Sequence, residues 1–307
     1  MGLLDGRVAI VTGAGRGIGR GEAVELARLG ATVIVNDVDA GAAAGVVAEI
    51  GAAAEAHVGD CSDPSVATGL VEQVVADHGR LDAIVNNAGV VRDRTIAKMT
   101  ADEWDAVIAV HLRGHYALTH AACAHWRELG GGPGRAVGHI VCTTSTSGLL
   151  GNFGQSNYGA AKAGIAAFAT IVAQEMARYG VNCNAIAPAA RTRMTEGAYG
   201  DIPGGAGASS EESFDFWHPD NVAPMVGYLC SDAASHISGK VFGVQGDVVE
   251  LYQPWTSVAV ITNDDKRWDD AALADRVGEL FATAGMEPGA QNMMARLRYS
   301  MTDRNRH

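Results

Sequence analysis

The chain has 307 residues, 48% of them hydrophobic, enough to bury a large core in one or two α/β domains. Its net charge of −12 argues against nucleic acid as a partner, and 39 glycines against 8 prolines point to many tight turns rather than disorder. Five cysteines (Cys61, Cys123, Cys142, Cys183 and Cys230) have no metal-ligand spacing and read as buried, reduced thiols of a cytoplasmic protein.

Residues 7–12 read as a strand, closed by Thr12-Gly13-Ala14-Gly15-Arg16-Gly17-Ile18-Gly19, and the periodic segment to Leu29 reads as a helix. Strand, glycine turn and helix together suit a phosphate. Glycine lets the backbone approach a pyrophosphate, and the helix N-terminus offers free N–H groups at the positive end of its dipole. The spacing, Gly-x-x-x-Gly-x-Gly through Gly13, Gly17 and Gly19, is not G-x-G-x-x-G, and there is no Walker lysine.

A second strand, 32–35, is closed by Asn36-Asp37. An acid about 20 residues past the glycines takes the hydroxyls of an adenosine ribose and repels a 2′-phosphate. Arg16 pulls the other way, but Asp37 sits where the ribose must lie. A helix at 41–50 follows, then a strand at 54–58 closed by Gly59-Asp60. Next come a helix at 64–78 with proline in its first turn and a strand at 81–85 leading into Asn86-Asn87-Ala88-Gly89. Alternating strands and helices imply a doubly wound parallel sheet with helices on both faces. Ligands then gather at the carboxyl ends of the strands.

His111 and His115 stand at a metal-ligand spacing, but no third ligand is evident and no metal is expected. Gly130-Gly131-Gly132-Pro133-Gly134 reads as an insertion ahead of the strand 138–143, which leads to Ser145. Tyr158 and Lys162 fall four apart at the start of a helical run, so they share a face. A cation beside a phenol favours phenolate, and Ser145 can donate to a substrate oxygen.

A strand at 181–187 is closed by Pro188. Residues 195–220 carry six acids, five glycines and no Lys or Arg, and read as part of a substrate lid spanning about 191–220. Phe214, Phe216 and Trp217 there are either anchors on the core or an apolar cover. A helix at 221–230 and a last strand at 240–245 complete the sheet. Leu273, Val277, Leu280 and Phe281 then mark one face of an amphipathic helix, continued by Met293, Met294 and Leu297, which is expected to pack on the core or on a neighbouring subunit. The N-terminus has no signal-peptide core, no apolar run spans a membrane, and Arg-Asn-Arg-His is no peroxisomal address, so a soluble protein without a membrane partner is expected.

The glycine turn, Asn86-Asn87-Ala88-Gly89, Ser145 thirteen before Tyr158, Lys162 four after it, and Pro188 together resemble the short-chain dehydrogenase/reductase family over about 7–245. Val110-His111-Leu112-Arg113-Gly114, Gly151-Asn152-Phe153-Gly154-Gln155 and Ala187-Pro188…Arg193-Met194-Thr195 resemble one branch more narrowly. That branch comprises the (3R)-hydroxyacyl-CoA dehydrogenase part of the type 2 peroxisomal multifunctional enzyme and its stand-alone bacterial relatives, some described as hydroxysteroid dehydrogenases.

The resemblance implies a single Rossmann-like α/β domain, 1–253, with a C-terminal helical extension, 254–307, packed on it. It implies a homodimer or homotetramer using NAD. Gly13, Gly17 and Gly19, with Arg16 and Ile18 in the same turn, would hold the pyrophosphate. Asp37 would hold the ribose and Asp60 the adenine, with Cys61 also among the cofactor-binding residues. Asn86 and Asn87, Ala88 and Gly89 would support the cofactor's central region, and Thr192 the carboxamide. Tyr158 would be the base, Ser145 the oxygen-orienting donor, and Lys162 the partner of the tyrosine and the nicotinamide ribose. His111 stands where many members have Asn and would carry a proton chain. The usual Gly after Pro188 is Ala189.

The implied reaction moves hydride between a secondary alcohol or ketone and the nicotinamide, with a (3R)-3-hydroxyacyl-CoA as substrate. A basic set, Arg92, Arg94 and Lys98 with Arg191 and Arg193, would face the phosphates of coenzyme A, unless these side chains simply pair with Asp93, Glu103 or the lid acids. The rival readings are a hydroxysteroid dehydrogenase, an NADPH-linked 3-oxoacyl carrier-protein reductase, and a dinucleotide-sensing scaffold without chemistry.

Overall fold

A computed structural model describes residues 2–130, 132, 137–192 and 214–289. The strands are β1 (Val8–Thr12), β2 (Thr32–Asp37), β3 (Ala54–Val58), β4 (Ala83–Asn86), β5 (Gly138–Thr143), β6 (Val181–Pro188), β7 (Val241–Gln245) and β8 (Val248–Tyr252). They form one sheet in the order β3-β2-β1-β4-β5-β6-β7-β8, with every pairing parallel except β7 with β8. The order reverses between β1 and β4, the crevice where doubly wound sheets bind ligands.

The helices are α1 (Gly17–Arg28), α2 (Ala40–Ile50), α3 (Pro64–His78), α4 (Ala101–Ile108), α5 (Gly114–Leu129), α6 (Thr146–Leu150), α7 (Ser156–Met176), α8 (Ala223–Leu229), α9 (Asp270–Arg276) and α10 (Gly278–Ala284). Their starts follow local chemistry. Asp39 and Asp63 cap α2 and α3, and Thr100 with Glu103 forms a reciprocal capping box on α4.

Two apolar layers sandwich the sheet. On one face Ile10, Ile84, Ile140 and Cys183 pack with α3, α5 and α7; on the other Val11, Val33, Val85 and Val141 pack with α1, α2 and α8. Trp126 shows how tight this packing is. It is fully buried, donates through Nε1 to the Leu81 carbonyl at 2.7 Å, and lies where a Cβ on Gly138 would come within 2.4 Å of its ring. Truncating such a side chain to alanine costs about 3–5 kcal/mol.

Three expectations need correction. The strand expected at 81–85 lies at Ala83–Asn86. The helix expected at 221–230 begins as a tight 3₁₀ turn, Pro219–Val222, before α8. The strand 240–245 is not the last: Gly246, at φ +53°, and Asp247 form a two-residue turn into the antiparallel β8. Of the expected lid, 193–213 lies outside the described residues. Phe216 and Trp217 behave as anchors: Trp217 is buried, Arg191 N–H donates to its carbonyl, and Phe216 covers Gly246. Phe214 is exposed. Met293, Met294 and Leu297 also lie outside the described residues, whereas Leu273, Val277 and Phe281 are 37–42% exposed, and neither α9 nor α10 buries a residue. No helix among the described residues is long and apolar enough to cross a membrane.

Candidate active site

The glycine turn sits at the switch point. Gly13 and Gly17 have φ of +62° and +57°, and a Cβ on Gly13 would come within 2.8 Å of Ala88 Cα. Arg16 occupies the N-cap of α1 without a side-chain cap, so the N–H groups of the first turn keep their donors for a ligand. Ile18 lies in that first turn, and Thr192 faces it, its Cγ2 3.6 Å from a Cβ on Gly17. Thr12 braces the turn against β4, because its hydroxyl oxygen accepts from the N–H groups of Asn87 and Ala88 at 3.0 and 3.1 Å. The Asn87 amide in turn donates to the Thr12 and Gly13 carbonyls.

Asp37 is buried at the end of β2, and its carboxylate accepts from Gly15 N–H at 2.9 Å and Asp39 N–H at 3.0 Å. Arg16 is ion-paired with Asp39, which offsets its charge locally. Asp60 is exposed and accepts from Ser62 N–H, while the buried Cys61 thiol donates to the Asn36 side-chain oxygen at 3.3 Å. Burial, with the Asp60 charge beside it, pushes that thiol up to about 12, so Cys61 stays protonated.

Tyr158 and Lys162 share one face of α7, with Lys162 Nζ 5.6 Å from the phenol ring centroid. Lys162 is buried and its ammonium donates to the Thr143 carbonyl at the end of β5. Burial lowers it to about 7, against the opposing pull of Cys142 and Glu22. Asn157, fully buried, accepts from Tyr158 N–H through Oδ1 and donates to the carbonyls of Arg92 and Glu103, which fixes the start of α7. Ser145 caps α6: its oxygen accepts from Ser147 N–H at 3.1 Å, and its own proton remains available to donate.

His111 lies in a π-helical turn, Ala109–Arg113, between α4 and α5. Its ring stands 5.2 Å from that of Tyr158 at 86°, and a Cβ on Gly89 would come within 2.4 Å of its Cε1. Nε2 lies 2.7 Å from the Val90 carbonyl, the shorter of its two contacts with that residue, which assigns the ring proton to Nε2. Nδ1 is buried without a partner among the described residues. Burial, helped by the Lys162 charge, lowers His111 to about 3.

The sheet thus gathers Gly13, Gly17, Asp37, Asn87, Ala88, Gly89, His111, Ser145, Tyr158, Lys162 and Thr192 along the carboxyl ends of its strands. Sequence reasoning named Thr12 without its bracing role and missed Asn157. A polar residue abutting Tyr158 was the one available signal, for Asn157. Two of the basic set are ion-paired, Arg94 with Glu103 and Arg191 with Asp215, and Arg193 lies outside the described residues. Arg92 and Lys98 are exposed, with Arg92 donating to the adjacent Val91 carbonyl.

The family model for short chain dehydrogenases matches residues 7–201. A hydroxyacyl-CoA dehydrogenase, ChsB1, of Mycobacterium tuberculosis is 44% identical over 93% of this chain and 91% of its own length. Peroxisomal multifunctional enzyme type 2 of Mus musculus is 38% identical over 88% of this chain, a match covering 36% of that longer protein. A crystal structure of a short chain dehydrogenase from Mycobacterium avium superposes with a TM-score of 0.82 at 43% identity, covering 94% of this chain and 98% of that one. Enzymes of this family use a nicotinamide dinucleotide, NAD or NADP. The chain belongs to the short-chain dehydrogenase family and is an oxidoreductase.

Proposed function

We propose that the enzyme uses NAD to oxidise a (3R)-3-hydroxyacyl-CoA at its secondary alcohol. The buried Asp37 carboxylate against Gly15 N–H carries the cofactor reading. A negative charge at that place suits two ribose hydroxyls and opposes a 2′-phosphate, while Arg16 is paired with Asp39. The likeness to proteins named hydroxyacyl-CoA dehydrogenase and peroxisomal multifunctional enzyme supports the substrate.

The residues present fit a dinucleotide. The close approach at Gly13 leaves no room for a side chain, and the start of α1 keeps its N–H donors unspent. Gly13, Arg16, Gly17, Ile18 and Gly19 would hold the pyrophosphate, Asp37 a ribose, Asp60 and Cys61 the adenine, Asn87, Ala88 and Gly89 the central region, and Thr192 the carboxamide. A nicotinamide held there would supply the acceptor for the hydride of the alcohol carbon. Ser145 donates to the substrate oxygen, Tyr158 takes its proton, and Lys162 as an ammonium stabilises the phenolate that does so. Neutral His111, beside the phenol ring, offers Nδ1 as an acceptor for the proton's onward path.

We assign residues 1–253 to the catalytic domain and 254–307 to an extension. The exposed faces of Leu273, Val277 and Phe281, with Trp255 94% exposed, support assembly as a homodimer or homotetramer. Five free cysteines are consistent with the cytoplasm.

The deciding assay follows NADH formation by the parent and Tyr158→Phe with (3R)-hydroxyacyl-CoA, its (3S) epimer and steroid alcohols. Turnover of the (3R) ester, reduced about 10²- to 10⁴-fold in the variant with NAD binding retained, is expected. Efficient steroid oxidation with no turnover of any CoA ester would replace this reading with that of a hydroxysteroid dehydrogenase.

A further inference from the structure

Asn157 stands immediately before Tyr158 and is wholly buried, yet its amide is fully used. Nδ2 donates to the Arg92 carbonyl at 3.0 Å and to the Glu103 carbonyl at 3.2 Å, and Oδ1 accepts from Tyr158 N–H at 2.7 Å. The first turn of a helix leaves its N–H groups without intrahelical partners, and Gln155 at the N-cap of α7 supplies no side-chain cap. One buried amide therefore joins three segments: the start of α7, the interior of α4 and the loop after β4.

That loop is held at a second point, two residues earlier. The Val90 carbonyl lies 2.7 Å from His111 Nε2, and the His111 ring stands edge-on to the Tyr158 ring at 5.2 Å. The contacts close a circuit from Tyr158 to Asn157, from Asn157 to Arg92, along the loop to Val90, and through His111 back to Tyr158.

Other ties join the same segments, but at the surface. Gln155 Nε2 donates to the Asp93 carboxylate at 2.9 Å, Arg94 N–H donates to the Gly154 carbonyl at 2.7 Å, and the Arg94 guanidinium pairs with Glu103. Asp93 and Arg94 are exposed, so water competes for these bonds. Asn157 is sealed from water, and the groups it serves lose a partner that solvent does not readily replace.

We propose that Asn157 is a positioning residue for Tyr158: by tying the start of α7 to the loop after β4, it fixes the phenol between His111 and Lys162. This rests on the reading of Tyr158 as the base. A phenol that must meet a substrate oxygen tolerates little displacement, and a misplacement of about 1 Å costs on the order of 10²-fold in rate. The same amide steadies the loop that carries Val90, and so the partner of His111. A mere cap for its own helix needs only Oδ1; the two bonds from Nδ2 to distant carbonyls are what that simpler role leaves unexplained.

Two variants separate these roles. Asn157→Ala removes all three bonds. Asn157→Asp, nearly isosteric and so the gentler change for folding, keeps an acceptor for Tyr158 N–H but as a carboxylate has no proton for either carbonyl. In both, kcat should fall by about 10-fold or more while Kd for NAD, measured by titration of the free enzyme, stays at the parent value. In both, the NOE between selectively labelled His111 and Tyr158 ring protons should weaken. An Asn157→Asp enzyme that keeps the parent's kcat and NOE would reduce Asn157 to a helix cap and overturn the proposal. A fall in kcat matched by an equal weakening of NAD binding would also overturn it, by moving the effect to the cofactor site. The NOE needs no turnover, so a parent inactive on every alcohol would sink the functional reading and leave the test of Asn157 intact.

Discussion

The His111 imidazole stands edge-on to the Tyr158 ring, with centroids 5.2 Å apart and planes at 86°. Its value of about 3 means the ring is neutral wherever the enzyme works, so His111 can pass a proton but does not store one. We expect His111→Ala to lower kcat by about 10-fold or more, and His111→Asn, which keeps a polar group there, to recover much of it. The parent's pH–rate profile should show no inflection from His111 between pH 5 and 9. Unchanged turnover in both variants would reduce His111 to a packing residue on Gly89.

Asp37 should decide the cofactor. The parent should show a lower KM for NAD than for NADP, and Asp37→Ala should weaken NAD while narrowing the ratio by about 10-fold or more, since the repulsion of a 2′-phosphate goes with the carboxylate. A parent that prefers NADP would shift the weight to Arg16.

Coenzyme A carries several phosphate charges, and among the described residues the basic side chains left outside ion pairs on its expected approach are Arg92 and Lys98, because Arg94 is held by Glu103 and Arg191 by Asp215. Arg92→Glu should raise KM for the CoA ester several-fold with little effect on an uncharged thioester of the same acyl group. The advantage of the CoA ester should shrink as salt rises, through screening. Equal KM changes for both substrates would assign Arg92 to the surface.

At the other end of the sheet, Asp82 is buried among Arg7, Arg80 and Val8 N–H. Burial alone would push its carboxyl up, but hydrogen bonds from Arg80, Val8 and Arg7 outweigh this and hold it below the ordinary 3.8. A depressed folded value means this stabilisation is present at pH above about 4 and is lost as pH falls through the folded value. Asp82→Asn should therefore lower stability by about 2 kcal/mol at pH 7, the half-exposed arginines being screened, and by much less near pH 3. Thermal unfolding at both pH values checks it; an equal loss at both would mean packing rather than charge is responsible.

Much of the site was legible because its chemistry is written locally. The glycine turn needs particular backbone angles at particular spacings, the i and i+4 relation brings Tyr158 and Lys162 together without help from elsewhere, and an acid at the end of the second strand has one place to go. Strand β8 was less legible, since it depends on a two-residue turn at Gly246 and Asp247 beyond what looked like a finished sheet.

What the sequence by itself determined is the alternation of strands and helices, and with it the row of Gly13, Asp37, Asn86 and Ser145 along one end of the sheet. What only the tertiary structure decided is the state of the charges. Glu22 is an acid within a helix, and only the packed structure shows it wholly buried. Arg94 and Arg191 could by sequence face either coenzyme A or a nearby acid, and only the fold decides it, by bringing Glu103 and Asp215 to them. Spacing fixes direction within one element, whereas burial and pairing depend on what distant segments bring, and in a low dielectric that decides which groups are charged.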